Sequence, residues 1–166
     1  GRYLRYNAFS DVFNITNATK IVTAHNLDDN VETVFLNLIR GTGLTGLTGI
    51  RVKNDSIIRP LLNIEKKDIL NYLKENNIEY KNDYTNSQSI YTRNKIRNEI
   101  IPIIKEKINP NIFKSISNTL DLLSEDEETL SNIAKDEYER IKNNNDGYKD
   151  RNMVSLSLEQ FNKLSI

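Results

Sequence analysis

A short β-branched run, Lys20-Ile-Val-Thr-Ala24, leads into a fifteen-residue amphipathic pattern that stops at four glycines, Gly41, Gly43, Gly46 and Gly49. The run suits a buried parallel strand. In residues 26–40, Leu27, Val31, Val34, Phe35 and Leu38 recur at helical spacing and form one apolar stripe. A parallel strand needs a crossover to reach its neighbour, and a helix is the usual one, so this junction points to an α/β sheet. The flanks agree. Residues 2–14 set Tyr3, Tyr6, Phe9, Val12 and Phe13 near helical spacing, with a turn at 14–19. Residues 57–62 resemble a further strand, and residues 64–76 a helix with Ile69, Leu70 and Leu73 inward.

From Tyr91 the pattern becomes helical, with Ile96, Ile100, Ile103 and Ile104 on one side and Pro102 forcing a kink or break. A longer helix is expected over 111–142. Its Phe113, Ile116, Leu120, Leu123, Leu130, Ala134 and Ile141 fall near heptad positions, which suits packing against other helices. A turn at 143–147, a strand at 153–158 and a helix opened by a capping box of Ser157 with Gln160 complete the chain. The last residue, Ile166, comes two turns into that final element, which gives the expectation of a fragment. The expected division is 1–108, the C-terminal part of a nucleotide-binding α/β domain, and 109–166, a helical linker with the start of a substrate domain.

Composition narrows the function classes. No apolar run approaches the roughly 20 residues that span a bilayer, and Gly1 to Asn7 has no basic and apolar signal pattern. With no cysteine, disulfides, thiolate catalysis and cysteine-bound metal are excluded, which is compatible with a cytoplasmic location. Net charge is zero but uneven: residues 51–108 carry 12 basic and 8 acidic groups, and residues 109–166 carry 7 and 11. The middle segment is the better polyanion surface, though an excess of four charges is also compatible with ordinary scatter.

His25, Asp28, Asp29 and Glu32 stand at i, i+3, i+4 and i+7, so they share one helix face opposite the apolar stripe. They follow a strand's C-terminal end, where open α/β sheets bind ligands, at a helix N-terminus that favours anions. An acidic first turn that merely offsets the helix dipole, with His25 an ordinary surface imidazole, remains the alternative. The glycines that follow permit close backbone approach to a ligand. They lack the Gly-Lys-Ser/Thr ending of a Walker A loop, and they follow a helix where a dinucleotide fingerprint precedes one.

Taken together, His25-x-x-Asp28-Asp29-x-x-Glu32-Thr33, then Leu36, then Arg40-Gly-Thr-Gly-Leu-x-Gly-Leu-x-Gly49 closely resembles the tRNA(Ile)-lysidine synthase family of PP-loop ATP pyrophosphatases. Arg59-Pro-Leu-Leu62, Asp83-Tyr-Thr-Asn86, Arg93-Asn-Lys-Ile-Arg97 and Ile101-Pro102 follow in that family's order. The resemblance is strong to about Asn111 and only topological beyond. It implies a Rossmann-like PP-loop fold, of the adenine nucleotide alpha hydrolase-like kind, followed by a mainly helical domain. It implies ATP-dependent adenylation of the wobble cytidine of tRNA(Ile), with displacement of AMP by free lysine.

Residue by residue, the resemblance makes His25, Asp29 and Arg97 the catalytic candidates. It makes Asp28, Glu32, Arg40, Gly41, Thr42, Gly43, Arg93 and Asn94 candidates for binding substrate or nucleotide. Attacking lysine must lose a proton, for which Asp29 is the candidate base, and Arg97 suits charge developing at phosphate. Asp28 and Glu32 are candidate oxygen ligands for Mg²⁺. Partners would be tRNA(Ile) and lysine, no membrane is implied, and a homodimer is among the allowed assemblies. For Arg93 and Arg97, one turn apart, a solvated helix face is the bland alternative.

The family's Ser-Gly-Gly-x-Asp-Ser loop is absent from these 166 residues, which implies that the chain alone cannot grip ATP normally. Asn30 stands where glutamine is usual after the paired aspartates. A tRNA thiolase on the same fold would use cysteines, which are missing. A metal-dependent hydrolase would have a poor ligand set with one histidine. A non-catalytic tRNA-binding module is the third reading.

Overall fold

The computed structural model describes residues 2–81, 92–142 and 156–163; the side chains of Arg2, Tyr3, Arg5, Tyr6 and Asn14 also lie outside the description. Two compact units divide after Ser124.

In the first unit, helix α1 (Arg2–Ile15) precedes strand β1 (Ile21–Val22), followed by helix α2 (Leu27–Arg40) and the short helix α3 (Leu44–Leu47). A hairpin of β2 (Lys53–Asn54) and β3 (Ile57–Ile58) completes a sheet of order β1-β3-β2. β1 and β3 are parallel, with Ile21 opposite Ile57 and Val22 opposite Ile58, and β2 is antiparallel to β3. The parallel pair with α2 between its strands is α/β architecture, but helix dominates and the strands are two residues long. The expected strand over 57–62 stops at Ile58 because Pro60 has no N–H for a ladder, and residues 60–63 form turns. The hairpin itself was not expected. Its turn carries Asp55 at φ 52° where glycine is the commoner signal.

Helix α4 (Lys66–Glu75) begins two residues later than expected and keeps Ile69, Leu70 and Leu73 half-buried. Then α5 (Thr92–Lys95) passes through a π turn (Ile96–Ile100) into α6 (Ile101–Lys107). The π turn is the form taken by the kink expected at Pro102. Proline cannot donate to the carbonyl four residues back and its ring crowds it, so the backbone widens and Ile101 N–H bonds to Ile96 O instead. One extra residue in the turn shifts the apolar stripe. Ile96 and Ile101 are buried, whereas Ile100 and Ile103, expected inward, are exposed.

The core gathers Leu27 and Val31 of α2, Ile96, Ile101 and Phe113, with Phe35, Leu36, Ile112 and Ile116 packed around them. Leu38, counted in the α2 stripe, is exposed at the helix end. Helix α7 (Ile112–Ile141) starts in this unit, burying Phe113 and Leu120, and carries on into the second. There Ile141 is buried, but Leu130 and Ala134, expected to pack, are exposed. Leu156 forms an isolated antiparallel bridge with Lys142, and Ser157 caps α8 (Leu158–Phe161) by accepting the Gln160 N–H. The Asp83–Asn86 motif, the 143–147 turn and Met153 fall outside the described residues. Among the described residues no helix is long and apolar enough to cross a membrane.

Candidate active site

Helix α2 starts with a reciprocal cap. Asn26 Oδ1 accepts the Asp29 N–H at 3.0 Å, and Asp29 Oδ2 accepts the Asn26 N–H at 3.1 Å. This fixes Asp29 at the carboxyl edge of β1, where the helix dipole favours its charge. Its other oxygen takes Arg93 Nη2 at 2.9 Å. One residue earlier, Asp28 Oδ2 accepts the Lys66 N–H at 2.7 Å and so caps α4, whose own N-cap residue makes no side-chain bond. Burial pushes the Asp28 carboxyl above its ordinary pKa, while that Lys66 N–H and the charge of Lys105 pull it down.

One turn along, Glu32 is 1% exposed and holds two arginines. Arg93 Nε donates to Oε2 at 2.7 Å; Arg97 donates through Nε to Oε1 at 2.5 Å and through Nη2 to Oε2 at 3.0 Å. Its bond to Glu32 raises the Arg97 pKa against the opposing cost of burial. Arg97 Nη2 also lies 3.6 Å from Asp29 Oδ1. Two guanidinia on adjacent turns, Asp29 and Glu32 thus form one network anchored on a buried carboxylate.

Residues of the network line two cavities. The larger, about 970 Å³, is lined by Thr23, His25, Asp29, Arg93, Gly49 and Arg59 among others. The smaller, about 500 Å³, is lined by Asp28, Glu32, Arg97, Lys105 and Phe113 among others. His25 is oriented by a 2.9 Å bond between its Nδ1 and Thr23 Oγ1. The larger cavity thus presents an imidazole, a carboxylate and guanidinia within one space at a sheet's carboxyl edge, the usual ligand position in such folds.

The structure therefore brings His25, Asp29 and Arg93 together, with Arg97 and Glu32 directly behind them. Asn94 is half-buried on the same helix as Arg93. Arg40, Gly41, Thr42 and Gly43 are exposed and do not line this cavity; Thr45 and Gly49, in the second half of the glycine stretch, and Ile50 and Arg51, just after it, do. Gly49 is required where it stands. Its φ is +72°, and a Cβ would lie 2.3 Å from Asn30 Oδ1, which accepts the Ile50 N–H at 2.7 Å. Buried Asn30 clamps the glycine segment to α2, a role that reading it as a stand-in for glutamine did not reveal. Arg59, which opens the Arg59-Pro-Leu-Leu62 motif, also lines the cavity and is buried, which no sequence signal marks because arginine is rarely buried.

Among the described residues no group of three or more His, Cys, Asp or Glu side chains is arranged to hold a metal ion. Glu32 already has both oxygens on arginines and Asp28 has one on a backbone N–H, so this pair does not fit Mg²⁺.

Comparison with known proteins agrees with this geometry. A family model described as a PP-loop domain matches residues 1–104. The tRNA(Ile)-lysidine synthase of Caldanaerobacter subterraneus subsp. tengcongensis is 42% identical over 85% of this chain and 30% of its own length. That of Clostridioides difficile is 36% identical over 96% of this chain and 34% of its own. That of Thermosipho africanus is 50% identical over 66% of this chain and 25% of its own. The chain spans about a third of the length of the curated relatives it matches. A parallel strand pair with a helix between its strands and a family model covering most of the first unit agree: the chain belongs to the PP-loop domain family.

Proposed function

We propose that this chain supplies part of the catalytic site of an ATP-dependent ligase that joins lysine to the wobble cytidine of tRNA(Ile) in the cytoplasm. ATP first adenylates the cytidine with release of pyrophosphate; the amino group of lysine then displaces AMP, giving lysidine. The observation that carries the reading is the cavity at the carboxyl edge of β1, where His25, Asp29 and Arg93 meet. Asp29 serves as the base that takes the proton from the attacking amine. Its bonds to the Asn26 N–H and Arg93 fix its position, and a carboxylate's remaining lone pairs stay available to an incoming N–H. Arg93, and Arg97 behind it, are held by Glu32 so that positive charge faces developing negative charge without reorganising.

The donor set argues against Mg²⁺ held by Asp28 and Glu32. Glu32 acts instead as a positioning residue. The helical part beyond residue 108 is read as leading to a tRNA-binding domain. No observation favours the hydrolase or the non-catalytic module. Because the phosphate-gripping Ser-Gly-Gly-x-Asp-Ser loop is not among the 166 residues, the chain by itself is expected to be inactive.

The test is pyrophosphate release and lysidine formation by a full-length synthase carrying this segment, given tRNA(Ile), ATP and lysine. Asp29→Asn should lower turnover by roughly 10² or more, a general-base scale. Full activity in that variant would remove Asp29 from the chemistry.

A further inference from the structure

Arg59 follows β3 directly. Because β3 runs parallel to β1, with Val22 opposite Ile58, Arg59 stands at the same carboxyl edge as Thr23 and His25. Its side chain lines the larger cavity, yet the residue is only 6% exposed. Nη1 donates to Arg51 O at 2.7 Å, which ties the ends of the hairpin together. Nε is buried without a hydrogen-bond partner. Among the described residues no carboxylate forms an ion pair with this guanidinium. Asp29, the carboxylate lining the same cavity, is engaged by Arg93.

Buried arginine is rare and is ordinarily paired, because an uncompensated charge out of water is costly. Here the Nη1 corner is anchored to the backbone, and the opposite edge, Nε with Nη2, makes no hydrogen bond or ion pair among the described residues. That edge is the side-on fork with which arginine takes two oxygens of a phosphate. Arg51 and Arg93 line the same cavity, so its charge favours an anion. An RNA strand tracks exposed basic surface. A guanidinium as buried as Arg59 is instead reached by the end of a small ligand inserted into the cavity.

We propose that Arg59 is a phosphate-binding residue of the nucleotide site, receiving a phosphate of ATP on its Nε–Nη2 edge while its Nη1 bond to Arg51 O holds it in register. This rests on reading the cavity as the nucleotide site of an ATP-dependent ligase.

The experiment uses a full-length synthase carrying this segment, with Arg59→Gln, which keeps a donor for Arg51 O but removes the charge, and Arg59→Lys, which keeps charge but loses the fork. Calorimetric titration with ATP should show roughly 10- to 100-fold weaker binding for the Gln variant, the range for losing a charge-assisted hydrogen bond, and an intermediate loss for Lys. The ligand-free melting temperature of the Gln variant should be unchanged or higher, since an unpaired buried charge has been removed. Affinity for tRNA(Ile) without ATP should stay at the wild-type value. Unchanged ATP binding with a lowered melting temperature overturns the proposal and makes Arg59 a strut of the hairpin. Loss of tRNA affinity with ATP binding intact also overturns it, giving the phosphate to RNA. If ATP binding depends on Arg59 but the wild-type protein makes no lysidine, the inference stands and the ligase assignment falls.

Discussion

Replacing Glu32 by glutamine removes the buried negative charge that both Arg93 and Arg97 hold, leaving them the partly exposed Asp29. Glu32 is 1% exposed and accepts three of their N–H groups. Glutamine keeps the shape but offers one acceptor oxygen, and it turns an NH₂ group toward a guanidinium N–H, donor against donor. Breaking a buried ion pair from one side costs roughly 3–5 kcal/mol. The Arg93 and Arg97 side chains are 40% and 26% exposed and regain some hydration, which places the expected loss at the lower end, about 3 kcal/mol. For a unit of this size that is a fall of roughly 10 °C in melting temperature. Thermal denaturation of Glu32→Gln, Arg97→Gln and the double variant measures it. Because the partners touch, the two losses should fail to add by at least about 1 kcal/mol. Additivity within about 0.5 kcal/mol, with a melting temperature near wild type, would refute the idea that Glu32 is the anchor of the arginine network.

Asp28→Asn should raise stability at neutral pH. The Asp28 pKa is raised by burial, so the folded state binds more protons than the unfolded state between the ordinary carboxylate value and the folded one, and stability declines as pH rises through that window. The advantage of Asn, which keeps an acceptor for the Lys66 N–H, should therefore shrink as pH falls through the raised value, as denaturation midpoints against pH will show. Gly49→Ala should destabilise by roughly 1–3 kcal/mol, from the positive φ and the contact with Asn30; a wild-type urea midpoint would contradict this. The segment 51–108 should face RNA, so Lys95→Ala should lower tRNA affinity and reduce the salt slope by about one, with Lys163→Ala changing neither. Equal behaviour of the two variants would move the contact surface elsewhere.

Much of the site was legible because it lies within one helix and its cap. The i, i+3, i+4, i+7 spacing drew attention to His25, Asp28, Asp29 and Glu32, but His25 precedes α2, Glu32 is buried in it, and Asp28 and Asp29 line different cavities. What each carboxylate does was not legible, since that depends on hydrogen-bond partners from 38 to 65 positions further along the sequence. Lys66 N–H claims Asp28, and Arg93 and Arg97 claim Glu32. A carboxylate pair that looked like magnesium ligands is thus a helix cap beside an arginine anchor. Sheet boundaries were overestimated at 57–62 because the apolar run continues past Pro60, whose missing N–H ends the strand. The buried face of α5 to α6 was misphased because the π turn adds one residue, and a strict 3.6 period cannot anticipate it. Leu130 is exposed where α7 has passed into the second unit, in which burial returns only near the helix end, at Ile141.

The most direct measurement digests tRNA(Ile) to nucleosides after incubation with ATP, lysine and a full-length synthase carrying this segment, and looks for lysidine by mass spectrometry. Lysidine is expected in amounts that require all three substrates and fall by roughly 10² or more with Asp29→Asn. ATP consumption that leaves the wobble cytidine unmodified, or lysidine formation indifferent to Asp29, would contradict the assignment.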